Sequence, residues 1–223
     1  PALPQRVVTA LSWIVTANVL VTLLLFVRSI WLARLLPVET FGIYAGAQAV
    51  IGLSVVVVGF GMAGAFLHRT DVTQDEDFAA AVYFTLQLIF LVLWAAILVC
   101  LAAYWFQGDN QLALWVLTAT TFGAQLTEVP RTILARRVVH RRLAVVQVMQ
   151  AVATTIAAIA LAYAGYTLGA LLATDLVATV VLLVAMYTWR PVWRPQLRWQ
   201  LATVRYFLSF GSKNVLTLFL TQV

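Results

Sequence analysis

Taken as apolar and polar positions, the chain is a series of long apolar runs separated by short charged breaks. The runs cover roughly 7–33, 41–67, 78–106, 112–134, 143–164, 167–189 and 205–223. A helix needs about 20 such residues to cross the hydrocarbon layer of a bilayer, so each run predicts a membrane-spanning helix. The breaks carry charge or turn chemistry: ARLLPVET, HRTDVTQDED, QGDNQ, RRVVHRR, a tight AGYT and RPVWRPQLRWQ. Seven helices are predicted, the last cut short at Val223. Pro1 is not an initiator, the N-terminus lacks a signal-peptide cleavage pattern, and the final run, begun near Tyr206, is still apolar at Val223. The sequence therefore reads as a fragment truncated at both ends, with the larger loss at the C-terminus.

The second run contains SVVVVGFGMAGAF, which places Gly59, Gly61 and Gly64 at the spacing of a dinucleotide-binding turn. Such a turn needs a helix of about three turns and a further strand after it. Only AFLHR follows Gly64 before TDVTQDED, which leaves no room. The three glycines are instead expected to let helices approach closely, as small residues do in membrane bundles. Gly42, Gly46 and Gly52 extend that pattern along the same helix.

Polar residues inside apolar runs fall on helical faces. In the fourth run Thr118, Thr121, Gln125 and Glu128 form one stripe. In the fifth, Gln147, Gln150 and Thr154 do the same, with His140 a heptad earlier. Asp175 and Thr179 share a face of the sixth, and Asn18, Thr22 and Ser29 a face of the first. One stripe on each of several helices predicts a shared hydrated cavity. The alternative is interhelical hydrogen bonding, which membrane bundles also use.

Composition supports lipid as the solvent: 63% of residues are hydrophobic and 10% charged, against about 25% charged in an ordinary soluble domain. Mean hydropathy is +0.96. Lys and Arg set the direction. With the N-terminus in the cytoplasm, the inner side receives Arg6, Arg69, the cluster from Arg131 to Arg142, and Arg190, Arg194, Arg198 and Arg205, while the outer side receives Arg34 with Arg28 close by. A net charge of +6 could suggest nucleic acid, but the arginines are juxtamembrane, which predicts contact with anionic phospholipids at the cytoplasmic loops and no nucleic-acid partner. The single Cys100 excludes an internal disulfide and a cysteine-based metal site.

The charges within runs admit two roles each. Arg28 either snorkels to headgroups or faces inward to hold an anion. Glu128 either pairs with Arg131 or touches a ligand. Asp175 faces the bundle, protonated or paired with an arginine. Lys213, about two turns into the seventh run, is a cavity cation or snorkels toward the cytoplasm. No zinc-protease, nucleophile-elbow or phosphate-loop motif occurs, and DVTQDED lacks the glycine and terminal Glu of a calcium loop. The expectation is a protein that is not an enzyme and uses no metal or cofactor.

Residues 28–69, RSIWLARLLPVETFGIYAGAQAVIGLSVVVVGFGMAGAFLHR, resemble the N-terminal region of bacterial polysaccharide flippases of the multidrug/oligosaccharidyl-lipid/polysaccharide exporter superfamily. VPRTILARRVVHRRLAVVQVMQAV, residues 129–152, looks like that family's basic loop between helices four and five, and FLSFGSKNVLTLFL, residues 207–220, like its seventh helix. The resemblance implies an all-α polytopic membrane bundle, part of a two-lobe transporter of twelve to fourteen helices working by alternating access in the bacterial cytoplasmic membrane. Residues 1–189 would be the N-terminal six-helix lobe, 190–204 a basic cytoplasmic linker and 205–223 the opening of the second lobe. The implied cargo is an undecaprenyl-pyrophosphate-linked oligosaccharide, with other polysaccharide-assembly membrane proteins as further partners. In such a carrier Lys213 would draw the pyrophosphate inward and Arg28 would meet it on the outer side. The rivals are a cation-coupled multidrug exporter of the same superfamily, for which Asp175 is the available carboxylate, and a membrane-embedded glycan polymerase, which would need large outer loops.

Overall fold

The computed structural model describes residues 3–59, 62–67, 76–136, 140–189 and 191–209, and every regular element among them is a helix. In order these are α1 (Leu3–Leu35), α2 (Val38–Gly59), α3 (Met62–Leu67), α4 (Glu76–Trp105), α5 (Asp109–Leu126), α6 (Glu128–Arg136), α7 (His140–Tyr163), α8 (Thr167–Tyr187) and α9 (201–209). α1, α2, α4, α7 and α8 each contain a stretch long and apolar enough to cross a bilayer. The protein is a multi-pass, all-α membrane bundle.

The long helices form two groups of three. α1 and α8 both pack on α7; α2, α4 and α5 pack on one another; α5 and α2 meet α8 across the seam. The central position of α5 explains its composition. The Gln125 amide meets Gln87 of α4, and the α5 backbone accepts from α8, so these groups do not have to face lipid. Thr179 of α8, for example, donates to the Thr120 carbonyl at 3.0 Å.

α7 and α8 are joined by a turn the sequence makes sharp. The Tyr166 N–H reaches the Leu161 carbonyl at 3.0 Å and the Gly165 N–H reaches Ala162 at 3.1 Å. That double closure of a helix end needs a left-handed residue, supplied by Gly165 with φ +89°. At the far ends of the same two helices, Arg142 of α7 donates to the Ala185 carbonyl at 2.7 Å and to the Trp189 carbonyl. A cation thus meets the carbonyl-rich end of α8, where it is favoured.

The run 41–67 holds α2 and α3, and residues 60–61 between them lie outside the described residues. Among the described residues, a Cβ added to Gly59, Gly42, Gly46 or Gly52 would meet nothing within 4 Å, so no described helix is seated on these four. Gly64 is half-buried in α3, and Gly61 lies outside the described residues. The close approach is at Gly123 of α5, where a Cβ would stand 2.6 Å from Thr179 Cγ2.

The run 112–134 divides at Thr127 into α5 and α6. Pro130 has no N–H to give the Leu126 carbonyl four residues earlier. The Tyr187 hydroxyl of α8 takes that carbonyl instead, at 2.5 Å. Thr127 closes the break, its N–H and its hydroxyl both reaching the Ala124 carbonyl, at 3.0 and 2.7 Å.

α3, α6, α9 and the first turns of α4 gather at one end of the bundle, called here the basic end because Arg131, Arg136, Arg142, Arg194, Arg198 and Arg205 stand there. Phe66, Tyr83 and Phe207 stack at its centre, with ring centroids 6.0 and 5.7 Å apart. Arg136 covers Phe66 at 5.4 Å. The helix 201–209 begins inside the stretch expected as linker.

Candidate functional site

Between α1, α3, α6, α7 and α8, toward the basic end, lies a cavity of about 400 Å³. Its polar lining is Asn18 from α1, Glu128, Arg131 and Thr132 from α6, and Gln147 and Gln150 from α7. Leu67, Leu182 and Met186 are among the apolar remainder. Each polar group is there for a local reason. Gln147 and Gln150 are three residues apart and so share one face of α7. Glu128, Arg131 and Thr132 occupy the first turns of α6, and the break at Thr127 starts this segment as a separate helix. Thr132 donates to the Glu128 carbonyl at 2.8 Å.

Glu128 and Arg131 form a loose pair at 3.9 Å, with both side chains 37–44% exposed. A half-solvated pair at that distance is worth at most about 1 kcal/mol, so Arg131 can exchange Glu128 for another anion at little cost. Three amides, one hydroxyl, one carboxylate and one guanidinium within an apolar wall can hydrogen-bond a polar ligand and pair with an anion.

A second polar cluster lies toward the opposite end. Tyr44 of α2 donates to Asp175 Oδ2 at 2.7 Å. Gln48 Nε2, one turn further along α2, reaches the Tyr44 hydroxyl at 2.9 Å and Asp175 Oδ2 at 3.4 Å. Neither Arg28 nor Asp175 lines the cavity.

The structure thus brings together Asn18, Glu128, Gln147 and Gln150, and separately sets Asp175 with Tyr44 and Gln48. Thr118 is buried and donates to the Leu114 carbonyl of its own helix at 2.6 Å. Gln125 meets Gln87 of α4, whose Nε2 donates to the Gln125 carbonyl at 3.0 Å and to its Oε1 at 3.3 Å. These two belong to the α5 packing, and only the Glu128 end of the predicted stripe reaches the cavity. Lys213 lies outside the described residues, as does the side chain of His140. Among the described residues no three His, Cys, Asp or Glu side chains gather as metal ligands would.

Sequence reasoning passed over Tyr44 and Gln48, although their four-residue spacing puts both on one face of α2. It treated Arg131 as a partner for Glu128 and as part of the inner basic cluster and omitted Thr132, and nothing local in the sequence shows that both look into a cavity.

A family model described as polysaccharide biosynthesis protein matches residues 31–223. No curated protein matches the chain in sequence at a significant level. Among solved structures, it resembles one titled as the outward-facing conformation of a multidrug resistance MATE family transporter of the MOP superfamily, with a TM-score of 0.61 and 16% identity. The match covers 92% of this chain and 51% of that one, so the chain spans about half the length of that transporter. At this identity the likeness is one of fold.

Proposed function

Because the chain belongs to the polysaccharide biosynthesis protein family, we propose that it forms the first half of a flippase. Its cargo is an undecaprenyl-pyrophosphate-linked oligosaccharide, carried across the bacterial cytoplasmic membrane by alternating access. The observation that carries this reading is the cavity at the basic end, polar on α1, α6 and α7 and apolar elsewhere. A carrier of this kind hides sugar and pyrophosphate from lipid. Asn18, Thr132, Gln147 and Gln150 supply hydroxyl partners, and Arg131 supplies the charge-assisted contact for phosphate. The basic end faces the cytoplasm, following the arginine bias. Cargo enters there, and Arg28 meets the pyrophosphate near the other side. Lys213 adds a further cation from the second lobe.

The test is export by the full-length protein in cells. Arg131→Gln is expected to reduce surface polysaccharide and accumulate lipid-linked precursor at unchanged protein level. Arg131→Lys is expected to keep more export, because a charge remains. Normal export by Arg131→Gln together with Gln147→Ala would overturn the assignment of this cavity to the cargo.

Asp175 favours a second reading, coupling of transport to a cation. It is a membrane-embedded carboxylate held by Tyr44 and Gln48 away from the cavity, where a charged residue is costly and marks function.

A further inference from the structure

The connector between α8 and α9 repeats a four-residue pattern, WRPV, WRPQ, LRWQ, over residues 189–200. Residues 189–209 contain four arginines and no Asp or Glu. Residues 194–200 are not helical, and Pro191 and Pro195 bias the backbone toward an extended course. The connector is nevertheless held firmly. Trp193 is 4% exposed and meets Phe84 of α4 edge-on at 5.4 Å. The Arg198 N–H bonds to Thr85 Oγ1 at 3.1 Å, and its guanidinium covers Phe78 at 5.5 Å.

With those groups turned inward, others are left on the outside. Leu197, Trp199 and Leu201 are 69%, 56% and 73% exposed, and Arg194 and Arg205 are exposed beside them. The position of this surface is fixed by α8, a membrane-length helix that ends at Tyr187, two residues before the repeat begins. The connector therefore leaves the hydrocarbon at the headgroup layer. Large apolar side chains and tryptophan are favoured at that depth, and arginine finds phosphates there.

We propose that the strap of residues 191–205 is a binding surface for anionic phospholipid of the adjacent leaflet. Leu197, Trp199 and Leu201 enter the headgroup–acyl boundary, and Arg194 and Arg205 bind lipid phosphates. The absence of acidic residues gives charge complementarity to an anionic leaflet. Trp193 and Arg198 transmit the attachment to the first turns of α4, so occupancy by lipid steadies that helix against α9. The inference rests on the membrane-spanning helices and is independent of the cargo.

The experiment uses the full-length protein purified in nanodiscs of phosphatidylcholine with or without phosphatidylglycerol. Native mass spectrometry counts retained lipid, and a spin label at Leu197→Cys, in a Cys100→Ala background, reports depth. The expected results are preferential retention of phosphatidylglycerol and a label at headgroup depth. Arg194→Gln and Arg205→Gln should each weaken that preference about fivefold. The double Lys variant should keep it, which separates loss of charge from misfolding. Arg198 is left intact because its contact with Phe78 is structural. Equal retention of the two lipids, a preference unchanged in the double Gln variant, or a label shielded by a co-purifying protein would each overturn the proposal.

Discussion

The Tyr187 hydroxyl donates to the Leu126 carbonyl at 2.5 Å, across a sequence separation of 61 residues. The acceptor is the carbonyl that Pro130 leaves without a helical partner, so the bond repairs a proline break from another helix. Tyr187→Phe strands a carbonyl and is expected to cost about 1–3 kcal/mol, read as a lower thermal midpoint in detergent. In a Pro130→Ala background, where residue 130 again has an N–H, the same change is expected to cost less. An equal cost in both backgrounds would separate the hydroxyl from the proline.

The crossing of α5 and α8 is set by Gly123 and Thr179. A Cβ at position 123 would stand 2.6 Å from Thr179 Cγ2, a β-branched group with few rotamers to escape into. Gly123→Ala is expected to destabilise by about 1–3 kcal/mol. Thr179→Ser removes that methyl and keeps the hydroxyl bound to the Thr120 carbonyl, so the double variant should recover most of the loss. Gly59→Ala meets no described atom within 4 Å and is expected to leave folded yield unchanged. All three are read by size-exclusion and thermal unfolding in detergent.

Asp175 tests the coupling reading. Asp175→Asn removes the charge and still accepts from Tyr44 and Gln48, so folding should survive. Transport driven by an imposed proton or sodium gradient in proteoliposomes is expected to fall to the ungraded rate. Tyr44→Phe removes the shorter bond, 2.7 Å, and is expected to shift the dependence on the gradient without abolishing it. A gradient-driven rate unchanged in Asp175→Asn would remove this carboxylate from coupling.

Orientation is tested by labelling single cysteines at Gly108 and His140 in a Cys100→Ala background. Gly108 lies between α4 and α5, and His140 opens α7 at the basic end. An impermeant thiol reagent applied to intact cells is expected to reach 108 and spare 140. The reverse pattern would put the basic end outside.

Much of the helix inventory was legible because a membrane helix announces itself by length and apolarity alone. Its interruptions were less so. Pro130 is visible in the sequence, yet it leaves the run equally apolar, and the tyrosine that makes the break tolerable is on another helix. The polar stripes showed which residues share a face, but not what the face meets. Gln125 looked like cavity lining and instead meets Gln87, an isolated amide in α4 with no stripe to betray it. Arg131 has the sequence signature of an ordinary helical pair. Its access to the cavity depends on α1 and α7 ending up opposite, which is tertiary information.

α7 and α8 are fastened at both ends, by the Gly165 turn at one and by Arg142 holding the Ala185 and Trp189 carbonyls at the other. They behave as one stiff jaw, carrying Gln147 and Gln150 on one helix and Leu182 and Met186 on the other. The facing side differs, because α6 begins after the break at Thr127. That break puts a joint on the side that bears Glu128 and Arg131, where the cavity can change width without bending a long helix. The same movement that opens the mouth would swing the charged groups away from the amides, loosening both grips on an occupant at once.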